Sequence, residues 1–282
     1  MLDFDALTQK AKIIRATCVR MAYDARETHL SSALSCVDLL TVMFGGFLNY
    51  SKGAGGCASG RDRFIMSKGH GCSALYAAMA AYGIIPAEML KTYSKTDSPL
   101  PNHPCKYALP IIEISTGSLG HGLGIASGIV YGIKLKGEKK DRAVVLMSDA
   151  ECNEGSTWEA AMFSSANELA NLLAVVDDNG HQAVARAEEV TGRTSIEEKF
   201  RSFGWNTLVI NGNDISAVTE AFQKFPFSET KPSVIIAKTT LAYGISHMEG
   251  KHFWFYKSPG RDDVDKAIKE LGVMPLYSMG DD

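Results

Sequence analysis

From Leu7, the apolar positions Ala11, Ile14, Cys18, Met21 and Ala25 recur at alternating spacings of four and three, which lays them along one stripe of a helix. A second helix is predicted after Ser35, whose hydroxyl would cap it with Asp38 three positions on; Val37, Leu40, Phe44 and Phe47 would form its buried face. Residues 51–62, rich in Gly, Ser and Ala, read as a loop. Residues 63–67 suit a short buried strand. Ala74, Leu75, Ala77, Ala78 and Ala81 then build a helix that stops at Gly83, and Pro86 suits the first turn of another. Residues 95–118 carry four prolines and few periodic apolar positions, a long connection of a kind that is usually functional or disordered. Gly122, Gly124, Ala126, Gly128 and Gly132 lie among Leu123, Ile125, Ile129 and Val130, so this helix offers a smooth face for close packing by another backbone.

The second half alternates. The short runs 143–147 (AVVLM), 172–176 (LLAVV), 207–210 (TLVI) and 234–237 (VIIA) are bounded by polar turns, with helical stretches around 156–169, 195–203 and 214–225. Continuous apolar strands alternating with helices predict an α/β fold, an open and mainly parallel sheet with helices on both faces. No internal repeat or linker breaks the pattern, so residues 1–282 read as one domain.

Composition removes several classes of function. Lys plus Arg total 29 against 32 for Asp plus Glu, a formal charge of −3 with no block of like charges, which argues against a nucleic-acid or polybasic membrane surface. Hydrophobic residues make up 45% and charged residues 22%, yet no apolar run approaches the roughly 20 residues of a membrane span. The N-terminus has two acids and no basic stretch leading into an apolar one, so no secretory signal is read and a cytoplasmic location is expected. Cys18, Cys36, Cys57, Cys72, Cys105 and Cys152 are scattered without a C-x-x-C pair, and free thiols are expected.

The sharpest feature opens at the end of the first clear strand, Ser148-Asp149-Ala150-Glu151-Cys152-Asn153-Glu154-Gly155, and closes about thirty residues later with Asp177-Asp178-Asn179-Gly180-His181. Both segments follow the C-terminal end of an apolar strand, where open parallel sheets bind ligands. A carboxylate, a carboxamide oxygen and a main-chain carbonyl meeting there would supply hard oxygen ligands for Mg²⁺ or Ca²⁺, with a diphosphate completing the shell. Two ordinary strand-end turns would also be rich in Asp, Asn and Gly.

The arrangement resembles the thiamine diphosphate motif, G-D-G then about thirty residues then N, in its transketolase version. Three further segments in the same order carry the likeness: Glu27 to Ser35 (ETHLSSALS), Ser67-Lys68-Gly69-His70-Gly71, and Ser115 to Gly122 (STGSLGHG). Asn153 to Ala160 (NEGSTWEA) is similar to the family's E-G-x-x-W-E-A continuation. Full transketolases are more than twice this length, so the resemblance implies the N-terminal subunit of a split transketolase, holding only the diphosphate-binding domain. It assigns Asp149, Asn179 and the His181 carbonyl to the metal, His70 and the Ala150 backbone to the diphosphate, and the Gly117 and Leu119 backbone to the aminopyrimidine. His29, His103 and His70 become the catalytic imidazoles, the first two lining the substrate channel. Glu154 and Glu159 match acids that link cofactor sites across a dimer. The implied partner is a C-terminal subunit with the pyrimidine domain and the activating Glu, in a two-fold α2β2 assembly acting on sugars or sugar phosphates.

Three positions depart from the family pattern. Gly-Asp-Gly is Ser148-Asp149-Ala150; Thr28 stands where Gly usually precedes the first channel histidine; and Phe255 stands where a His follows a Trp, with His247 or His252 as the possible replacement. Two other readings stay open at this point: a catalytically silent partner that binds the cofactor or stabilises another subunit, and a Rossmann dehydrogenase. The second lacks a G-x-G-x-x-G between an early strand and helix.

Overall fold

Among the described residues, five short runs form one wholly parallel sheet: β1 Arg63–Met66, β2 Ala143–Ser148, β3 Leu172–Asp178, β4 Asn206–Asn211 and β5 Ser233–Lys238, in the order β1-β2-β3-β5-β4. The computed structural model describes residues 3–50, 60–137, 141–192 and 194–278; Cys57 and most of the expected 51–62 loop therefore lie outside the described residues. Every strand points the same way, so the ends of β1, β2 and β3 open side by side onto one edge.

The helices are α1 Phe4–Ala25, α2 Leu30–Ser35, α3 Val37–Val42, α4 Cys72–Ala81, α5 Gly122–Leu135, α6 Gly155–Ala166, α7 Ala187–Thr191, α8 Ile196–Ser202, α9 Ile215–Gln223 and α10 Arg261–Leu271. Strand side chains alternate between two cores. Val144, Leu146, Leu173, Val175 and Ile235 pack with α1 to α4, α9 and α10. Val145, Met147, Ala174, Val176, Val234 and Ile236 pack with α5, α6 and α8 on the opposite face. Each fully buried aliphatic side chain contributes roughly 2 kcal/mol, which explains why β2 and β3 are apolar almost throughout. The predicted α/β sheet covered on both faces is the one observed.

Several local expectations change. Ser35 caps nothing: it ends α2, and its hydroxyl donates to Asp177 Oδ2 at 2.5 Å, while α3 follows Cys36 without a side-chain cap. Pro86 precedes a 3₁₀ turn over Ala87–Thr92 in extended conformation. The helix expected over 156–169 ends at Ala166. Between Thr92 and Gly122 there is no helix or strand, as the prolines indicated, and Arg61 pairs with Glu113 in the interior to pin this long connection to the sheet edge. On α5, Gly122 is buried inside the chain, whereas Gly124 and Gly128 face outward.

Candidate active site

A cavity of about 380 Å³ opens where β1, β2 and β3 end, and His29, His70, His103, Gly117, Leu119, Ala150, Glu154, Asn179 and His181 all line it. His70, Ala150, Glu154, Asn179 and His181 follow β1, β2 and β3, whose parallel course delivers their loops to one edge, while His29 precedes α2 and His103, Gly117 and Leu119 come from the long connection before α5. Asp149 lies beside it, in an adjoining cavity of about 440 Å³ that also holds Asp178, Gly180, Arg186, Lys199 and Lys238; Asn153 lines both. Glu159 lies on the exposed side of α6 and does not line the cavity.

The β2 and β3 ends are locked to each other. Asp149 Oδ1 accepts from the Ala150 amide at 2.8 Å and Oδ2 from the Gly180 amide at 2.9 Å, so the carboxylate itself spans the two turns. Asn179 Oδ1 accepts from the His181 amide at 3.0 Å, which curls the second turn toward the cavity. Burial, with Asp178 and Asp177 adding like charge, pushes the Asp149 carboxyl up to about 7. A buried anion in such surroundings is short of positive charge, and a divalent cation would supply it. The donors are oxygens, the chemistry Mg²⁺ and Ca²⁺ prefer. Among the described residues no three His, Cys, Asp or Glu side chains cluster as a metal site, so any cation here relies on one carboxylate, the Asn179 amide oxygen, main-chain carbonyl and ligand oxygens. The residues present fit that donor set.

Beneath the cavity lies a buried pair that sequence reasoning did not single out. Lys68 donates to Asp177 Oδ2 and, at 2.9 Å, to the Ser32 carbonyl, with both charged residues fully inaccessible. Thr239 donates to the other Asp177 oxygen. Burial lowers the Lys68 pKa, but Asp177 more than offsets it, and the net direction is upward. The pair fixes the β1 loop to the end of β3. Its signal in sequence is a Lys and an Asp each placed just after an apolar run.

The three histidines form a cluster. Ring centroids of His29 lie 5.9 Å from His70 and 6.4 Å from His103. Burial lowers all three pKa values, and His103 further lowers that of His29, while Lys68 and the other two histidines lower that of His70. The imidazoles are therefore neutral at neutral pH, each carrying one donor and one acceptor nitrogen. His29 sits in the left-handed region at φ 64°, where a β-carbon is strained, and its amide donates to the Phe255 carbonyl at 2.9 Å. The hydroxyl of Thr28 is 3.1 Å from His29 Nδ1, and that of Ser32 is 3.0 Å from His70 Nε2. Thr28, a departure noted in the sequence, thus orients the ring that follows it.

Neither His247 nor His252 lines the cavity. His252 stacks on His181 at 6.0 Å and meets the Gln182 carbonyl at 2.9 Å, which supports the β3 turn from outside; His247 faces Trp254 and Asp263. Phe255 itself enters the cavity, its ring 6.0 Å from His29.

Residues 7–279 match the family described as transketolase, thiamine diphosphate binding domain. The chain is 37% identical to an apulose-4-phosphate transketolase subunit of Actinobacillus succinogenes over 96% of its own length and 97% of that protein. It is 31% identical to a 6-deoxy-6-sulfo-D-fructose transketolase subunit of a Clostridium species, covering 87% and 88%. Among solved structures, the transketolase of Campylobacter jejuni superposes with a TM-score of 0.89 at 26% identity, over 98% of this chain and 44% of that one. The chain thus spans less than half of that solved transketolase and nearly all of the Actinobacillus protein.

Proposed function

The chain belongs to the transketolase family, matching its thiamine diphosphate-binding domain over residues 7–279, and from that premise we propose that it is the diphosphate-binding subunit of a two-component transketolase. Residues 1–282 form one such domain in this reading. A C-terminal subunit with the pyrimidine domain completes each site in a two-fold α2β2 assembly in the cytoplasm. Support for the split comes from near-complete coverage of a protein whose own name makes it one subunit of a transketolase. No helix among the described residues is long and apolar enough to cross a membrane.

The observation that carries the reading is the convergence at one sheet edge of Asp149, Asn179 and three neutral imidazoles. Thiamine diphosphate, when bound with Mg²⁺ or Ca²⁺, supplies the transfer of a two-carbon ketol unit from a ketose to an aldehyde acceptor. Asp149, Asn179 and the His181 carbonyl would hold the metal, which would neutralise the diphosphate. Ala150 and His70 would contact the diphosphate, and the Gly117 and Leu119 backbone would contact the aminopyrimidine. His29 and His103 orient substrate hydroxyls and move protons, for which an uncharged imidazole with one donor and one acceptor is suited. Glu154, at the rim, and Glu159, on the outer face of α6, point to the partner. A silent scaffold would need no such cluster of imidazoles. Among the described residues lining the 380 Å³ cavity none is Lys or Arg.

Calorimetric titration with thiamine diphosphate tests the reading. Binding requires a divalent cation, EDTA abolishes it, and Asp149→Ala reproduces the EDTA result; equal affinity with and without EDTA contradicts the metal assignment.

A further inference from the structure

The ends of two strands and the segment leading into α5 meet at one carboxylate that none of these roles uses. Glu151, two residues after Asp149, is wholly inaccessible to solvent. Its Oε1 accepts from the Ser67 hydroxyl at the end of β1 and, at 2.9 Å, from the Gly120 amide. The same Ser67 hydroxyl accepts from the Gly122 amide, the first of α5, at 3.1 Å. The Glu151 amide is held by Ser148 Oγ at 3.2 Å. One side chain therefore ties the 117–120 segment to the ends of both β1 and β2, and it does so at the positive end of α5, where an anion is favoured.

The second oxygen of Glu151, Oε2, is buried and has no hydrogen-bond partner among the described residues. An oxygen left so carries a desolvation cost. A residue present only to stabilise the fold has no reason to bear it. Gly120 shows how tightly the join is drawn. It has φ 83°, and a β-carbon there would lie 2.6 Å from both Glu154 Cβ and Ser156 Oγ.

We propose that Glu151 is a positioning residue for the aminopyrimidine half of the cofactor site: it clamps the 117–120 segment so that the Gly117 and Leu119 backbone stands in register with the diphosphate half. This rests on the thiamine diphosphate reading of the cavity. It separates two halves that can be probed independently, since inorganic pyrophosphate reads only the metal and diphosphate contacts, whereas thiamine diphosphate reads both.

The experiment measures Mg²⁺-dependent binding of each probe to the complex as it occurs, in wild type, Glu151→Ala, Glu151→Gln and Glu151→Asp. In Glu151→Ala, thiamine diphosphate affinity falls roughly tenfold or more, the scale of a lost charge-assisted hydrogen bond, while pyrophosphate affinity stays within about twofold. Glu151→Gln keeps shape and an acceptor at Oε1 and restores thiamine diphosphate binding to within about threefold. Glu151→Asp keeps the charge but is too short to reach Gly120, and it shows the same split as Ala if Ala does not fold. Equal losses for both probes, or none for either, overturn the role of Glu151 alone. A wild-type complex that binds neither probe overturns the cofactor reading and this inference with it.

Discussion

Asp149 ionises at about 7 in the folded chain against an ordinary 3.8, so between those values the folded state holds a proton the unfolded state has lost, and stability falls as pH rises across that window. Burial moves Glu113 and Glu151 the same way. A divalent cation at Asp149 offsets this penalty only once the carboxylate is charged. Melting temperatures at about pH 5 and about pH 8, with EDTA or Mg²⁺, should show a larger Mg²⁺-induced rise at the higher pH; equal rises contradict the metal site. His29 and His103 lead to a second expectation. Their lowered pKa values place the acid limb of kcat/KM below the ordinary imidazole range. Alanine at either position should reduce kcat/KM by roughly 10²-fold with thiamine diphosphate affinity nearly intact. Loss of cofactor binding with turnover intact at saturating cofactor refutes the assignment. The residues legible in sequence are those whose chemistry is local to a motif. Lys68 with Asp177, Thr28 with His29, and Glu151 with Gly120 escape because each is a specific atomic contact that a linear pattern does not record.

Elements with a regular apolar spacing or a β-branched run are legible; those without either are not. Helix α1 follows its apolar spacing, and β2, β3 and β5 follow their β-branched runs. All six residues of α2 are buried, so no polar face gives it a helical period, and Ser35 reads as a cap although its hydroxyl serves Asp177. Helix α10 is amphipathic but polar in composition, and its few apolar positions do not announce it. Helix α5 offers a paired test. A β-carbon at Gly122 would overlap Ser67 Oγ and Cβ, whereas at Gly128 it would meet nothing within 4 Å. Gly122→Ala should cost about 1–3 kcal/mol, measured by denaturant unfolding. Gly128→Ala should stabilise the isolated chain by about 0.5–1 kcal/mol through helix propensity, yet weaken assembly if the outward glycine face receives the partner. A Gly128→Ala chain that assembles as tightly as wild type would remove that face from the interface.

At the scale of the whole molecule, five parallel strands carry several loops to one edge, where Asp149, Asn179 and three neutral imidazoles gather. In the proposed reading this is half of a cofactor site. In the same reading, the residues that enclose the aminopyrimidine and activate it belong to a second chain. The most direct measurement is ketol transfer by the purified chain titrated with its partner, at saturating thiamine diphosphate and Mg²⁺. No turnover by this chain alone at any concentration, and activity that rises to a plateau at a 1:1 ratio of the two chains, is the predicted result; robust turnover by this chain alone would contradict it.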